Sequence, residues 1–383
     1  MNQSAQSVPM LQQNLFNSQH NEPDDVGWAE RATHWLQHKP KKGRGRPSKE
    51  MFRQPLILSG HGASLAVKHG ALAVRNGFTH YPQNQETWRF FPGDRRLPSR
   101  IILLDGNGSL SFDVLTWLSV QNIQLVQINW QGEVVTIGSQ RPLDNSLYEA
   151  QLAARGNGSG FTLACKLVRE KILSSIETLD SLLPSAARTR GYTQLARAIK
   201  DLDQHVAQNI EELRLVEGRA ALAYFRALQK MPIHWKSVRQ RPVPEEWQFI
   251  PMRTSGKTGT NRHATHPFNA MLNYAYGVLE SQVRIDTIAA GLDPTIGYLH
   301  ATVPGRVALV YDLMEPLRPT IDRALLKFVS ENDLMPGDFT VSSSGVCRVH
   351  PQLARSICSQ IVGLNLVAAC SLKAEKFRLG AIS

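Results

Sequence analysis

Three short segments, far apart in a chain of 383 residues, carry acidic and imidazole side chains of the kinds that do acid–base or metal-assisted chemistry. The first is Leu215-Val-Glu217-Gly-Arg219-Ala-Ala-Leu-Ala-Tyr224, in which Glu217 sits in a helical pattern beside the apolar Val216, Ala220, Ala223 and Tyr224. A carboxylate held against a core needs a partner, because an ionised group buried alone is costly. Glu211 and Glu212 nearby offer the competing reading of a solvated helix face. The second segment, Ala290-Gly-Leu-Asp293-Pro294-Thr-Ile-Gly297-Tyr298-Leu-His300, stops a helix at Gly291, bends at Pro294 and ends on His300, which such a turn places rigidly. The third is Val307-Ala-Leu-Val-Tyr311-Asp312-Leu-Met-Glu315-Pro316-Leu-Arg318-Pro319. Asp312 and Glu315, three residues apart, share a face if they lie in the first turn of a helix. Acidic residues there are also ordinary capping chemistry, but the two prolines that follow point to a constrained turn.

Each segment alone reads at least as well as structure. Together, two or three carboxylates and one imidazole make a mostly hard donor set, suited to Mg²⁺ or Mn²⁺ more than to zinc. A metal so held polarises a phosphodiester and lowers the pKa of an attacking water or 3′-hydroxyl. Arg219, Lys257, Arg262 and Arg318 lie near these segments in sequence and are candidates for phosphate contacts. Ser255-Gly256-Lys257-Thr258 resembles the end of a nucleotide-binding loop, but Pro251 stands where that motif needs its first glycine, which excludes the reading.

The bulk properties agree. Forty-three basic residues against 32 acidic ones give a net charge of +11 and a pI near 9.6, which favours polyanionic partners such as nucleic acid. Cys165, Cys347, Cys358 and Cys370 show no paired spacing, so neither a zinc site nor a disulfide framework is expected. The polar first 21 residues contain no signal peptide, and no apolar run approaches the ~18 residues of a membrane span, so a cytoplasmic protein is expected.

The elements that must position these residues fall into three regions. Residues 1–55, rich in Gln, Asn, Ser and Lys, read as a flexible basic arm with one short amphipathic helix around residues 28–37. Residues 56–147 read as a β-rich domain of short strands joined by tight turns, with runs at 56–59, 64–68, 71–75, 87–91, 101–104, 123–130 and 133–137 and one helix over 111–122. Residues 148–383 read as an all-α body with helices over 163–183, 192–206, 210–230 and 267–290, and two more after Val307 and Pro351. The class is α+β. The Pro-, Gly- and Arg-rich stretch 231–266 is a long loop of the kind that is often functional.

The three segments also match a known pattern. Glu217-Gly with Ala220 and Tyr224, Asn269-x-x-Leu272-Asn273-Tyr274-x-Tyr276, Gly291-Leu-Asp-Pro294-x-x-Gly297-x-Leu-His300, and Tyr311-Asp312-Leu-Met-Glu315-Pro-x-Arg318-Pro319 resemble, in order and spacing, the CRISPR-associated endonuclease that acts as the integrase of spacer acquisition. Gly-Ala-x-Leu-x-Val over 62–67 and Gly-Ala-Leu-Ala-Val over 70–74 extend the likeness into the β domain. The resemblance implies Glu217, His300 and Glu315 as catalytic residues and metal ligands, with Asp312 as an auxiliary acidic ligand. It implies a homodimer built through the β domain, a small ferredoxin-like partner protein bridging two dimers, and double-stranded DNA as substrate. The 3′-hydroxyl of a captured fragment would attack a phosphodiester of a repeat, a transesterification. Glu315 departs from members that have Asp there, which preserves ligation and alters reach. The arm departs more: Lys41-Lys42-Gly43-Arg44-Gly45-Arg46-Pro47 resembles an AT-hook, whose arginines, here Arg44 and Arg46, would enter a narrow minor groove. The alternatives are a non-catalytic DNA-binding protein and a transposon-type integrase. The latter often carries a further C-terminal module, for which the residues after the last helix leave no room.

Overall fold

A computed structural model describes residues 25–38, 54–80, 83–138, 144–229, 231–239, 241–253, 263–364 and 366. Helix α1 (Asp25–Gln37) precedes the strands β1 (Leu56–Lys68), β2 (Ala71–Arg75), β3 (Thr87–Phe90), β4 (Arg100–Leu110), β5 (Gln124–Ile128) and β6 (Val134–Gly138), with α2 (Phe112–Val120) between β4 and β5. The helical part comprises α3 (Asn145–Gly156), α4 (Ser159–Leu182), α5 (Ser185–Asp203), α6 (Ile210–Leu228), α7 (Pro267–Ala289), α8 (Ala308–Met314), α9 (Arg318–Glu331) and α10 (Pro351–Val362). It is not all-α, because β7 (Phe339–Val341) and β8 (Cys347–Val349) form an antiparallel hairpin ahead of α10. Among the described residues no helix is long and apolar enough to cross a membrane.

The sheet order is β3-β2-β1-β4-β5-β6. Tight turns account for only part of it. β1 and β4 pair in parallel, as do β4 and β5, the second pair through the crossover helix α2. β1 is one strand rather than two, kept continuous through register shifts around Gly60 and Gly62, both at positive φ. Strands alternate their side chains between the two faces, and here both faces are buried. Ile101 packs with Leu58, Val114 and Trp117 on one side, while the next residue, Ile102, joins Ile57, Val126 and Ile128 in the core that continues into the helices.

Helix α7 is the spine of that core. His266 caps it by accepting the Phe268 N–H, Pro267 occupies its first turn, and nearly every residue from Pro267 to Val283 is buried. A helix buried on all sides is surrounded by protein, and the polar residues among those buried must find partners there. The β5–β6 turn meets it at Gly132, whose φ is +77°; a Cβ there would lie 2.1 Å from the Asn273 carbonyl oxygen, so only glycine seats the sheet against α7 at this distance.

The expected flexible arm is partly folded. Helix α1 lies against α10 and the turn before β7, where Asp338, fully buried, accepts from Arg31 Nε and Nη2 at 2.7 Å and from Trp35 Nε1 at 2.9 Å. Ser356 on α10 donates to the Trp35 carbonyl. The AT-hook-like segment with Arg44 and Arg46 lies outside the described residues. Removing one member of a buried pair strands the other, at a cost of about 3–5 kcal/mol. Asp338→Ala should therefore lower the urea midpoint sharply, whereas Asp203→Ala, which breaks the exposed pair with Arg169, should leave it nearly unmoved.

Candidate active site

Four elements converge on one cavity of about 450 Å³. Helix α6 brings Glu217, the loop 298–300 brings His300, the 3-10 turn Glu315–Leu317 between α8 and α9 brings Glu315, and α4 brings Lys171. Asn209 caps α6 by accepting the Glu212 N–H, which fixes where the helix begins and so where Glu217 falls. Gly218 leaves the space beside it open; a Cβ there would touch nothing within 4 Å. Asp312 and Glu315 sit at the end of α8 and in the tight turn that follows, not in a first helical turn. Pro316 is the reason the turn tightens, having no N–H for the α-helical ladder.

The histidine is held from two sides. Asp312, fully buried, accepts the backbone N–H of Tyr298 at 2.6 Å, of Leu299 at 3.0 Å and of His300 at 2.9 Å, and meets His300 Nδ1 at 2.7 Å. Arg214, one turn before Glu217 on α6, donates through Nε and Nη2 to the Leu299 carbonyl at 2.9 and 2.6 Å. Gly297 permits the approach, since a Cβ there would stand 2.7 Å from the Ala308 Cβ. With Nδ1 engaged by a carboxylate, His300 presents Nε2 to the cavity, 3.8 Å from Glu315 Oε1. Both Asp312 oxygens accept from the His300 loop, so in this arrangement it orients the imidazole. A carboxylate behind a histidine in this way fixes its tautomer and ring plane.

Glu315 is 5% exposed. Burial alone would push its carboxyl up, but Arg318, with Nε 3.0 Å from Oε1, and Lys171, with Nζ 2.5 Å from Oε2, outweigh burial and hold it at about 2. The Lys171 ammonium also contacts Glu217 and so stands between the two carboxylates. Burial pulls that ammonium down; Glu315 and Glu217 more than offset it and hold it above the usual lysine range. Among the described residues, no three His, Cys, Asp or Glu side chains close to ligating distances around one point, and the ammonium spans the gap between the carboxylates. The donor chemistry nevertheless fits a hard divalent cation: two carboxylates and an imidazole nitrogen face one cavity, and the carboxylates already share a cation.

A third carboxyl also lines the cavity. Asp322 on α9 accepts the Tyr276 hydroxyl at 2.6 Å and the Tyr224 hydroxyl at 3.1 Å. Of the residues expected at the site, Glu217, His300, Glu315 and Arg318 line the cavity and Asp312 supports it. Arg219 does not reach it: it is exposed on the outer side of α6, with Nε donating to the Leu215 carbonyl. Lys257 and Arg262, with the excluded loop motif at 255–258, lie outside the described residues. Lys171, Arg214, Arg253 and Asp322 were not singled out from sequence. Lys171 and Asp322 each sit within a regular helical pattern, where nothing in the spacing separates an inward charge from a solvated one.

Burial raises the Asp322 carboxyl to about 6, against hydrogen bonds from Tyr276 and Tyr224 that favour its ionised form. Between pH ~4, where an unfolded aspartate ionises, and about 6, the folded protein holds a proton that the unfolded chain has released. Stability therefore falls as pH rises through this window. Asp322→Asn should flatten that part of the stability profile, measured by urea unfolding at a series of pH values.

Comparison with known proteins gives a consistent result. A family model described as CRISPR associated protein Cas1 matches residues 56–361. The CRISPR-associated endonuclease Cas1 1 of Archaeoglobus fulgidus is 26% identical over 298 residues, covering 74% of this chain and 80% of that protein. Among solved structures, a casposase bound to integration product matches with a TM-score of 0.68 at 23% identity, over 84% of this chain and 91% of that one. A Cas6-RT-Cas1–Cas2 complex matches with a TM-score of 0.66 at 17% identity, over 89% of this chain and 36% of that one. At these identities the structural likeness is one of fold.

Proposed function

Because the chain belongs to the Cas1 family of CRISPR-associated proteins, we propose that it is a metal-dependent DNA endonuclease and integrase that inserts captured DNA fragments into a repeat array. The observation that carries this reading is the meeting of Glu217, His300 and Glu315, from three elements distant in sequence, on one cavity flanked by Arg318. Glu217, Glu315 and His300 Nε2 would hold Mg²⁺ or Mn²⁺, which when bound supplies Lewis-acid polarisation of the scissile phosphodiester and charge stabilisation on its oxygens.

The chain's own residues do the positioning. Asp312 and Arg214 set the His300 ring, and Arg318 keeps Glu315 ionised at any physiological pH. The reaction exchanges one phosphodiester for another: the 3′-hydroxyl oxygen of the fragment forms a bond to phosphorus as the bond to the repeat's own 3′ oxygen breaks. No high-energy cofactor is required. The partners are double-stranded DNA, favoured by the net charge of +11, a second copy of the chain, and a small ferredoxin-like protein. The complex named Cas6-RT-Cas1–Cas2, similar in fold, supports a further CRISPR-associated partner protein. Phe112 and Leu115, turned outward from α2 on the β domain, support an apolar contact between copies. Arg44 and Arg46 would add minor-groove contacts, and the location is the cytoplasm.

Glu217→Ala and His300→Ala should each abolish Mn²⁺-dependent strand transfer into a repeat-bearing plasmid while leaving the circular dichroism spectrum unchanged. Full activity in either variant rejects the site, and transfer that ignores the repeat favours a transposon-type integrase. Lys171→Met should leave Glu217 and Glu315 facing each other without a cation between them. Its melting temperature in EDTA should drop below that of the wild type, and titrated Mn²⁺ should raise it by more than it raises the wild type's.

A further inference from the structure

Asn269, Asn273 and Tyr276 share a face of α7, and Tyr276 and the residue they hold, Arg253, line the same cavity as the carboxylates. Each of the three side chains engages Arg253. Asn269 Nδ2 donates to the carbonyls of Met252 at 2.8 Å and Arg253 at 3.3 Å, which pins the backbone. Asn273 Oδ1 accepts from Arg253 Nη2 at 2.8 Å. The Tyr276 ring lies 5.3 Å from the centre of the Arg253 guanidinium and 4.7 Å from that of Arg318.

The two arginines differ in how their charge is met. Arg318 faces the Glu315 carboxylate. Arg253 faces a neutral amide and an aromatic ring, and its Nη1 is buried with no hydrogen-bond partner among the described residues. Burial and then the neighbouring Arg318 lower its hold on its proton. Asp322, the other acid in this part of the cavity, has its two oxygens occupied by the tyrosine hydroxyls. The Asp322 charge acts on Arg253 at a distance, but no carboxylate among the described residues accepts from its guanidinium, and a desolvated donor left without an acceptor is costly. An anion accepting from its free edge would remove that cost, and the planar fork matches phosphate oxygens.

We propose that Arg253, held by Asn269, Asn273 and Tyr276, forms a phosphate subsite in the active-site cavity that binds a DNA backbone phosphate beside the reacting one. The assignment rests on the reading of the chain as a DNA integrase for the identity of the ligand, and on the cavity alone for its chemistry. Arg253 is a binding residue that acts before any chemical step, so its effect survives removal of divalent metal.

The test uses the full chain in EDTA. Fluorescence anisotropy of a branched DNA duplex across a salt series should show Arg253→Gln binding on the order of ten-fold more weakly, with a log–log salt slope smaller by about 0.9, the value of one phosphate contact. Arg253→Lys, which keeps the charge without the fork, should keep the slope and bind with intermediate affinity. In parallel, inorganic pyrophosphate should raise the melting temperature of the wild type and not that of Arg253→Gln. Wild-type-like DNA affinity and slope in Arg253→Gln, with equal pyrophosphate stabilisation, overturn the subsite. Should Arg253→Gln fail to fold, Arg253→Lys decides: affinity and pyrophosphate response equal to wild type overturn it. Pyrophosphate stabilisation that depends on Arg253, in a protein that binds no DNA, upholds the subsite and rejects the integrase reading.

Discussion

Two carboxylates cannot share a poorly solvated cavity unless cations are built in beside them. Glu217 and Glu315 converge from α6 and the turn after α8, with Glu315 almost wholly removed from water. In a medium of reduced dielectric their repulsion would drive one to protonate. Lys171 from α4 stands between them and Arg318 flanks the deeper one, so Glu315 is held far down the acid scale despite its burial. The packing of α4 against α6, α9 and the 3-10 turn is thus also the electrostatic closure of the site.

Imidazole placement follows a different principle. His300 is on a loop, and loops place side chains accurately only when their backbone groups are satisfied by rigid neighbours. Here Asp312 gathers three consecutive N–H groups, and Arg214 takes the carbonyl between two of them. Since Arg214 shares a helix with Glu217, and Asp312 lies one turn before Glu315, the loop is tied to the same two elements that carry the carboxylates. The three groups are therefore anchored to one framework.

The remainder of the architecture serves this arrangement at a distance. Helix α7, buried on all sides, separates the sheet from the site and turns its polar stripe of Asn269, Asn273 and Tyr276 toward Arg253. The close contact of Gly132 with Asn273 ties the β5–β6 turn to that same stripe. On the far side, α1 folds back onto α10 and the turn before β7 through Arg31, Trp35 and a single buried aspartate.

Local pattern determined much of this protein. Helical periodicity and end signals located α4, α6 and α7 within a few residues, and the Gly and Pro breaks marked the loop to His300, because helix period and capping are read within one or two turns of chain. Glu217, His300 and Glu315 were legible as a set only through the family resemblance of their segments in order and spacing, since each segment alone reads at least as well as structure. Tertiary structure alone decided the rest. Parallel pairing of β1 with β4 is set by which faces find cover, and the strand sequences do not record their neighbours. Asp312, three residues from Glu315 and identical to it in chemical type, is drawn to the Nδ1 side of the same imidazole because the 298–300 loop supplies its donors, while Glu315 stands on the Nε2 side. Lys171, 46 residues before Glu217, has no signal in its own helix: a lysine turned inward is distinguishable from one in water only by the charges that other segments bring to it.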